Sequence, residues 1–140
     1  MKNLIIVSVV FTTLFLFSSC RNKTVKLLTK KWDCVQAENI IPPNTKFITP
    51  EDSAYSAQLQ SIVHSINWTF KNNMRYACAI NSRITVLGKY ELLDNDKTLV
   101  CTPETKNSIN RYTIVSLSEN ELVLSSTAEN TTLVLHFKPH

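Results

Sequence analysis

Glycine is almost missing from this sequence of 140 residues, in which Gly88 is the single example. A loop that cradles phosphate groups needs several glycines, so nucleotide-binding loops of that kind are excluded. Tight turns must instead be made by asparagine and aspartate, the other residues that tolerate left-handed backbone conformations. The segments that predict such turns are Asn72-Asn73, Asp94-Asn95-Asp96, Glu119-Asn120 and Glu129-Asn130.

Histidines and concentrated charge are also scarce. No histidine pattern suggests a hydrolytic triad, and no pair of carboxylates flanks an aromatic cleft, so we expect no enzyme activity and no cofactor. His64 is interpreted as a surface or packing residue, His136 as outward-facing and His140 as terminal. The net charge of +4 is spread along the chain without a concentrated basic face, which makes nucleic acid a poor candidate partner.

The N-terminal segment has the layout of a bacterial lipoprotein signal. Lys2 gives a positive start, an apolar run covers residues 4–17, and two small serines precede Cys20. As a helix the run would rise only about 21 Å, short of the roughly 30 Å of hydrocarbon that a membrane span crosses. The stretch "FSSC" resembles a lipobox, where a signal peptidase cuts before the cysteine and lipid such as palmitate is attached to it.

This resemblance predicts the boundaries and the location of the protein. We expect a signal peptide over 1–19, a lipidated tether over 20–24 and one folded domain over 25–140. The tether is basic, and Arg21 follows Cys20, which favours an outer membrane anchor with the domain facing the periplasm of a bacterial envelope. An ordinary secretory cut nearby, leaving Cys20 in a free tail, is the alternative.

The rest of the chain predicts an all-β fold with one helix. Short apolar stretches alternate with polar residues, as in half-buried strands, and the last seven stretches are joined by connections too short for parallel crossovers. An eight-stranded antiparallel meander can close into an up-and-down barrel and so remove its edges, with a flattened sandwich as the alternative. The predicted strands are 31–38, 67–71, 74–80, 84–93, 97–102, 110–117, 121–127 and 131–138.

The long connection after the first strand predicts a helix that lies against the barrel or caps one end. Pro50 followed by Glu51 and Asp52 is typical of a helix start, because acidic groups favour the positive end of the helix dipole. Apolar residues then recur at helical spacing and predict one apolar face. These residues are Ala54, Leu59, Ile62, Val63 and Ile66.

The cysteines of the domain are interpreted as small core residues. Cys34, Cys78 and Cys101 have no Cys-x-x-Cys spacing and no nearby histidine pair, which argues against a zinc site. They fall on predicted strands one, three and five. Next-but-one strands lie roughly 9.5 Å apart, beyond the ~7 Å between Cα atoms that a disulfide allows, although a pair across the barrel stays open.

Three phrases resemble lipocalin-like lipoproteins of Bacteroidota. They are Leu27-Leu28 before Trp32, "GKYELLDNDKTLVC" at 88–101 and "YTIVSLSENELVL" at 112–124. The resemblance implies a small lipocalin-like barrel tethered behind a lipobox, and it carries no catalytic residues to this chain.

Two functions follow. In the first, the interior binds a small apolar ligand, and in the second, a barrel with a filled core presents loops such as 41–50 to an envelope protein or glycan. The membrane is a partner through the lipid, and no particular protein partner is indicated. The residues expected to line the cavity or fill the core are Trp32, Cys34, Trp68, Phe70, Tyr76, Tyr90, Tyr112 and Phe137.

Overall fold

The computed structural model describes residues 23–40, 50–105, 107–128 and 131–140. In these parts of the chain, residues 23–28 form helix α1 and Pro50–His64 form helix α2. The strands are β1 Lys31–Glu38, β2 Ile66–Phe70, β3 Arg75–Ile80, β4 Arg83–Leu93, β5 Thr98–Pro103, β6 Asn110–Leu117, β7 Leu122–Ala128 and β8 Thr131–Pro139. Each begins and ends within one residue of its predicted limits.

The eight strands form a closed barrel in sequence order, which confirms the predicted antiparallel meander. Every strand pairs with its neighbours in the chain, and β8 closes the ring against β1, where Cys34 lies opposite Phe137. The register shifts between Cys34 and Gln36, so β1 bulges and its next buried side chain is Ala37. The closed ring leaves no unpaired edge among these strands.

The two ends of the barrel differ. We call the end where β1 begins the closed end, because α1 covers it: Leu28 is fully buried, and the Trp32 Nε1–H donates a 2.9 Å hydrogen bond to the Leu28 carbonyl. The turns 71–74, 94–97 and 118–121 lie at this end. Residues 23 and 24, expected in the tether, are already helical. The opposite end, where β1 finishes and β2 starts, is called the mouth.

Helix α2 confirms the predicted start at Pro50, and its predicted apolar face is correct in part. Val63 is the buried residue of this helix, whereas Ile62 is 42% exposed and Ala54 is exposed. Ile66 already belongs to β2. Leu59 is half-buried, as are Asp52 and Ser56, and these residues lie on the same helical face as Val63. One face of the helix is therefore turned toward the barrel, where it packs on β1, and the other faces solvent.

Left-handed residues shape the turns, as the shortage of glycine predicts. Asn81 and Ser82, with φ of 50° and 63°, join β3 to β4, and Asp94-Asn95-Asp96 are left-handed in the next turn. In the turn predicted at Asn72-Asn73, the left-handed residue is Met74, with φ of 62°. Asparagine and aspartate tolerate this conformation better than other residues with a side chain, so most of these turns carry little strain.

Several predictions concern residues outside the described ranges. The signal peptide 1–19, the lipid site Cys20 and most of the loop 41–50 are among them, as is the Glu129-Asn130 turn. Within the described ranges, neither helix has the length and hydropathy needed to cross a membrane.

Candidate functional site: the barrel interior and its mouth

The predicted interior residues meet in one aromatic cluster. Trp68 on β2 is its centre, because four rings have centroids within 6 Å of the Trp68 ring. The distances are 5.8 Å to Phe70, 5.9 Å to Tyr76, 5.4 Å to Tyr112 and 5.8 Å to Phe137. Alternation along four different strands points these side chains inward, which is why the sequence pattern could identify them.

The half of the interior near the closed end is filled. Trp32, Phe70, Tyr90 and Phe137 are each no more than 1% exposed. The Tyr90 ring lies edge-on to Phe70 at 5.2 Å, and its hydroxyl donates a 2.8 Å hydrogen bond to the carbonyl of Lys71. With its polar atom satisfied and its ring enclosed, Tyr90 acts as core, and the described side chains in this half of the barrel pack against one another.

The half near the mouth is open. A pocket of about 220 Å³ lies there, and Trp68, Tyr76 and Tyr112 give it aromatic walls. Tyr112 is only half-buried, so its ring borders both the aromatic cluster and solvent. The other lining residues are Cys78, Val86, Pro103, Ser108 and Asn110.

Sequence reasoning had placed Cys78 in the core and had not identified the last four of these residues. Val86 lies on the inward face of β4 together with Gly88 and Tyr90, in agreement with the strand alternation of this segment. Ser108 precedes β6 in an irregular segment, and no local pattern indicates which way such a residue faces.

The thiols and phenols of the interior are held in their neutral forms. Burial raises the pKa of Cys34 to about 11 and that of Cys101 to about 12, mainly because the charged thiolate would lose its hydration. Burial likewise raises the pKa of Tyr112 to about 12 and that of Tyr76 above its usual range. At neutral pH the phenols are uncharged hydrogen-bond donors and acceptors, whereas the protonated thiols form only weak hydrogen bonds and are poor nucleophiles.

The three described cysteines lie on β1, β3 and β5 as predicted, and all three are free thiols. Cys34 and Cys101 are buried, and Cys78 is half-buried at the pocket wall. Among the described residues, no three side chains of the histidine, cysteine, aspartate or glutamate type converge as a metal site would require.

The histidines lie outside this interior. His64 is exposed on α2. His136 on β8 makes a 2.7 Å contact with the carboxylate of Glu38, and His140 makes one of the same length with Asp33. These contacts link β1 to β8 and to the residue that follows it on the outer wall, and neither histidine lines the pocket.

Comparison with known proteins rests on structure alone, since no family model and no curated protein matches the sequence. A lipocalin-like protein from Bacteroides uniformis ATCC 8492 superposes with a TM-score of 0.52 at 16% identity, over 81% of this chain and 99% of that one. The fold is lipocalin-like. A DUF4847 family protein from Bacteroides vulgatus ATCC 8482 shares this lipocalin-like fold, with a TM-score of 0.52 at 17% identity, over 80% of this chain and 93% of that one.

Proposed function

We propose that this chain is a lipid-anchored protein of a bacterial envelope and that its lipocalin-like barrel binds one small, flat, largely apolar molecule at the mouth. The observation that carries the proposal is the pocket between Trp68, Tyr76 and Tyr112, which continues the aromatic interior to the surface. The role is binding and not catalysis, because the groups lining the pocket are aromatic, apolar or neutral.

The size of the pocket limits the ligand. Sites for drug-sized molecules usually measure about 300–1,000 Å³, whereas an apolar cavity of about 150 Å³ holds a single benzene ring. At about 220 Å³, the pocket suits one ring with a short substituent. A long acyl chain would have to pass the Trp68 ring into the filled half, where Phe70 and Phe137 leave no space.

The rim adds polar groups. Ser108 and Asn110 line the pocket near the solvent side, where a hydroxyl and an amide can each donate and accept hydrogen bonds. Tyr112 remains a neutral phenol at physiological pH and provides a further donor. The favoured ligand therefore has an apolar ring directed at Trp68 and one uncharged polar substituent directed outward.

The binding test uses 4-nitrophenol, a flat phenol that quenches tryptophan fluorescence, at mildly acidic pH where it is neutral. Val86→Phe should fill the pocket and abolish quenching, since Val86 points inward, while Leu87→Phe on the outward face of the same strand should leave it intact. Native mass spectrometry of the protein purified from its host then identifies a resident molecule. Equal quenching of both variants, or an empty wild-type protein that 4-nitrophenol does not quench, contradicts the proposal.

The filled half of the barrel favours a second candidate, an interaction module that presents its surface to an envelope protein or glycan. Ile84, Ile109 and Val115 are 60–63% exposed and offer apolar contacts to such a partner. Cross-linking in cells, followed by identification of the attached molecule, separates the two candidates: a specific envelope partner with an empty pocket favours this one.

The lipid anchor rests on the lipobox resemblance of "FSSC". In cells grown with a clickable fatty acid, Cys20→Ala should lose the label. Cys34→Ala is the matched control, because it removes a buried thiol and should stay labelled. Protease added to intact cells tests the periplasmic location, since a domain facing the periplasm is degraded only after the outer membrane is permeabilised.

A further inference from the structure

Lysines gather around the closed end of the barrel. Lys23 and Lys26 lie one turn apart on α1 and are exposed, while Val25 and Leu28 of the same helix pack onto the core. The helix therefore turns its apolar residues to the barrel and leaves its two lysines in solvent.

Two more lysines continue this surface. Lys31 begins β1, and exposed Lys71 directly follows β2. The amide of Phe70, the last residue of β2, donates a hydrogen bond to the carbonyl of Lys30, so the two lysines lie on neighbouring strand ends. Lys31 and Lys71 also line one groove on the outer wall. We call Lys23, Lys26, Lys31 and Lys71 the basic surface.

Acidic groups at the closed end occupy other positions. Glu119 pairs with Lys30 at 3.5 Å. Asp33 contacts His140 at 2.7 Å, and the same ring lies 3.3 Å from the Lys31 ammonium, so Asp33 reaches the basic surface only through His140. Asp94 and Asp96 belong to the β4–β5 turn, on the far side of the barrel from β1. The net positive charge of the basic surface therefore rests mainly on Lys23, Lys26 and Lys71, which form none of the ion pairs among the described residues.

The proposed lipid anchor places this surface close to a membrane. From Cys20 to Lys23 the chain spans three residues, which reach at most about 10 Å when fully extended. Electrostatic interactions decay over about 8 Å at physiological ionic strength, so lysines within that reach act on the headgroups. Whatever the tether conformation, a lipid on Cys20 brings the closed end to the bilayer.

We propose that the closed end docks on anionic phospholipid headgroups through the basic surface, with the mouth directed away from the bilayer. The proposal rests on the lipid anchor put forward above and adds an orientation to it. Its consequence concerns ligand entry: the pocket at Ser108 and Asn110 opens to the aqueous compartment, so the ligand arrives dissolved and not by diffusion within the membrane.

The test uses the lipid-bearing protein purified from host membranes and reconstituted into vesicles. One set contains phosphatidylcholine alone, and the other adds phosphatidylglycerol. A membrane-impermeant acetylating reagent labels accessible lysines, which mass spectrometry then quantifies. Labelling of Lys23, Lys26 and Lys71 should fall at least about threefold on the anionic vesicles and recover in high salt. Lys89, exposed on the wall at β4, should be labelled equally on both.

A charge-reversal variant tests whether the lysine charges themselves cause the protection. Lys23→Glu, Lys26→Glu and Lys71→Glu together should abolish the protection of Lys31 on anionic vesicles. The matched control combines Arg83→Glu, Lys89→Glu and Arg111→Glu, which changes the net charge equally at exposed positions on the strands and should preserve that protection.

The outcomes separate the two proposals. Equal labelling on the neutral and anionic vesicles, with the protein still bound to both, overturns the docking while leaving the anchor in place. A protein that floats with neither kind of vesicle overturns the anchor and the docking together.

Discussion

Cys34 and Cys101 are thiols enclosed on opposite parts of the barrel wall, 2% and 1% exposed. Their pKa values of about 11 and about 12 compare with 9.0 for an exposed thiol. At a pH between the pKa of an exposed thiol and that of a buried one, the thiols of the unfolded chain are ionised, whereas those of the folded chain keep their protons. The free energy of unfolding must then fall as pH rises above about 9, by up to about 1.4 kcal/mol per pH unit for each thiol.

We predict that the wild-type protein loses about 2–3 kcal/mol of stability between pH 8 and pH 10 through these two thiols. Urea unfolding at both pH values measures the loss. The double variant Cys34→Ala and Cys101→Ala, less stable throughout because of the cavities, should show a clearly smaller loss over the same interval. An identical loss in both proteins would show that the thiols ionise as freely in the barrel as outside it.

For single residues, the sequence predicted which side chains point into the barrel, but not which of them fill the core and which line the pocket. Trp68 and Tyr112 both follow strand alternation, and both were candidates for core or cavity. Only the three-dimensional arrangement separates Trp32, enclosed beneath α1, from Tyr112, which borders the pocket. That difference depends on how far each residue lies from the closed end and from the mouth. The alternation of inward and outward side chains along a strand indicates the face on which a residue lies, but not this position.

Among the elements, β4 contains the one glycine, and its position has a packing reason. A methyl group on Gly88 would meet the carbonyl oxygen of Thr102 on β5 and would lie 2.6 Å from Cε1 of Tyr76 and 3.0 Å from Cα of Pro103. Two of these three neighbours are backbone atoms of the adjacent strand, so the clash cannot be relieved by rotating one side chain. The Tyr76 ring therefore occupies the space that a side chain would fill.

Gly88→Ala should destabilise the barrel by about 1–3 kcal/mol, because the added carbon overfills a tight contact. Lys89→Ala, the next residue on the same strand but facing outward, should change stability by less than about 0.5 kcal/mol. Chemical denaturation of both variants measures the difference. A Gly88→Ala protein as stable as wild type would mean that β4 and β5 can separate without cost.

The two helices show which features of an element sequence patterns do not predict. α1 was missed because its described residues 23–28 are too few for a helical period, and its packing depends on contacts with Trp32. α2 was found through Pro50, but Ala54 and Ile62, which the spacing placed on its buried face, are exposed. Periodicity reports what a helix could bury, and tertiary contacts decide what it does bury.

For the whole molecule, stability comes from the closed ring of strands and the core within it. The described cysteines are free and lie on strands that are not neighbours, so no disulfide among them supports the fold. The lipocalin-like topology was predictable because short connections between alternating strands leave few other ways to pair them. The structural relatives keep that topology at 16% and 17% identity.

We predict that dithiothreitol leaves the melting temperature unchanged within about 2 °C, since a difference of one kcal/mol would shift it by roughly 4–8 °C. Scanning calorimetry with and without the reductant measures this. A decrease of more than about 10 °C on reduction would reveal a bond across the barrel between two of Cys34, Cys78 and Cys101.

The left-handed turns have a consequence for how this protein can change. Ser82 has a φ of 63° in an exposed position, where a side chain carries a conformational penalty that glycine avoids. A lineage that acquired glycine there would gain a margin of stability. Such a margin lets a protein accept substitutions that alone would unfold it. The hairpin turns thus influence how readily the pocket can evolve toward a new ligand.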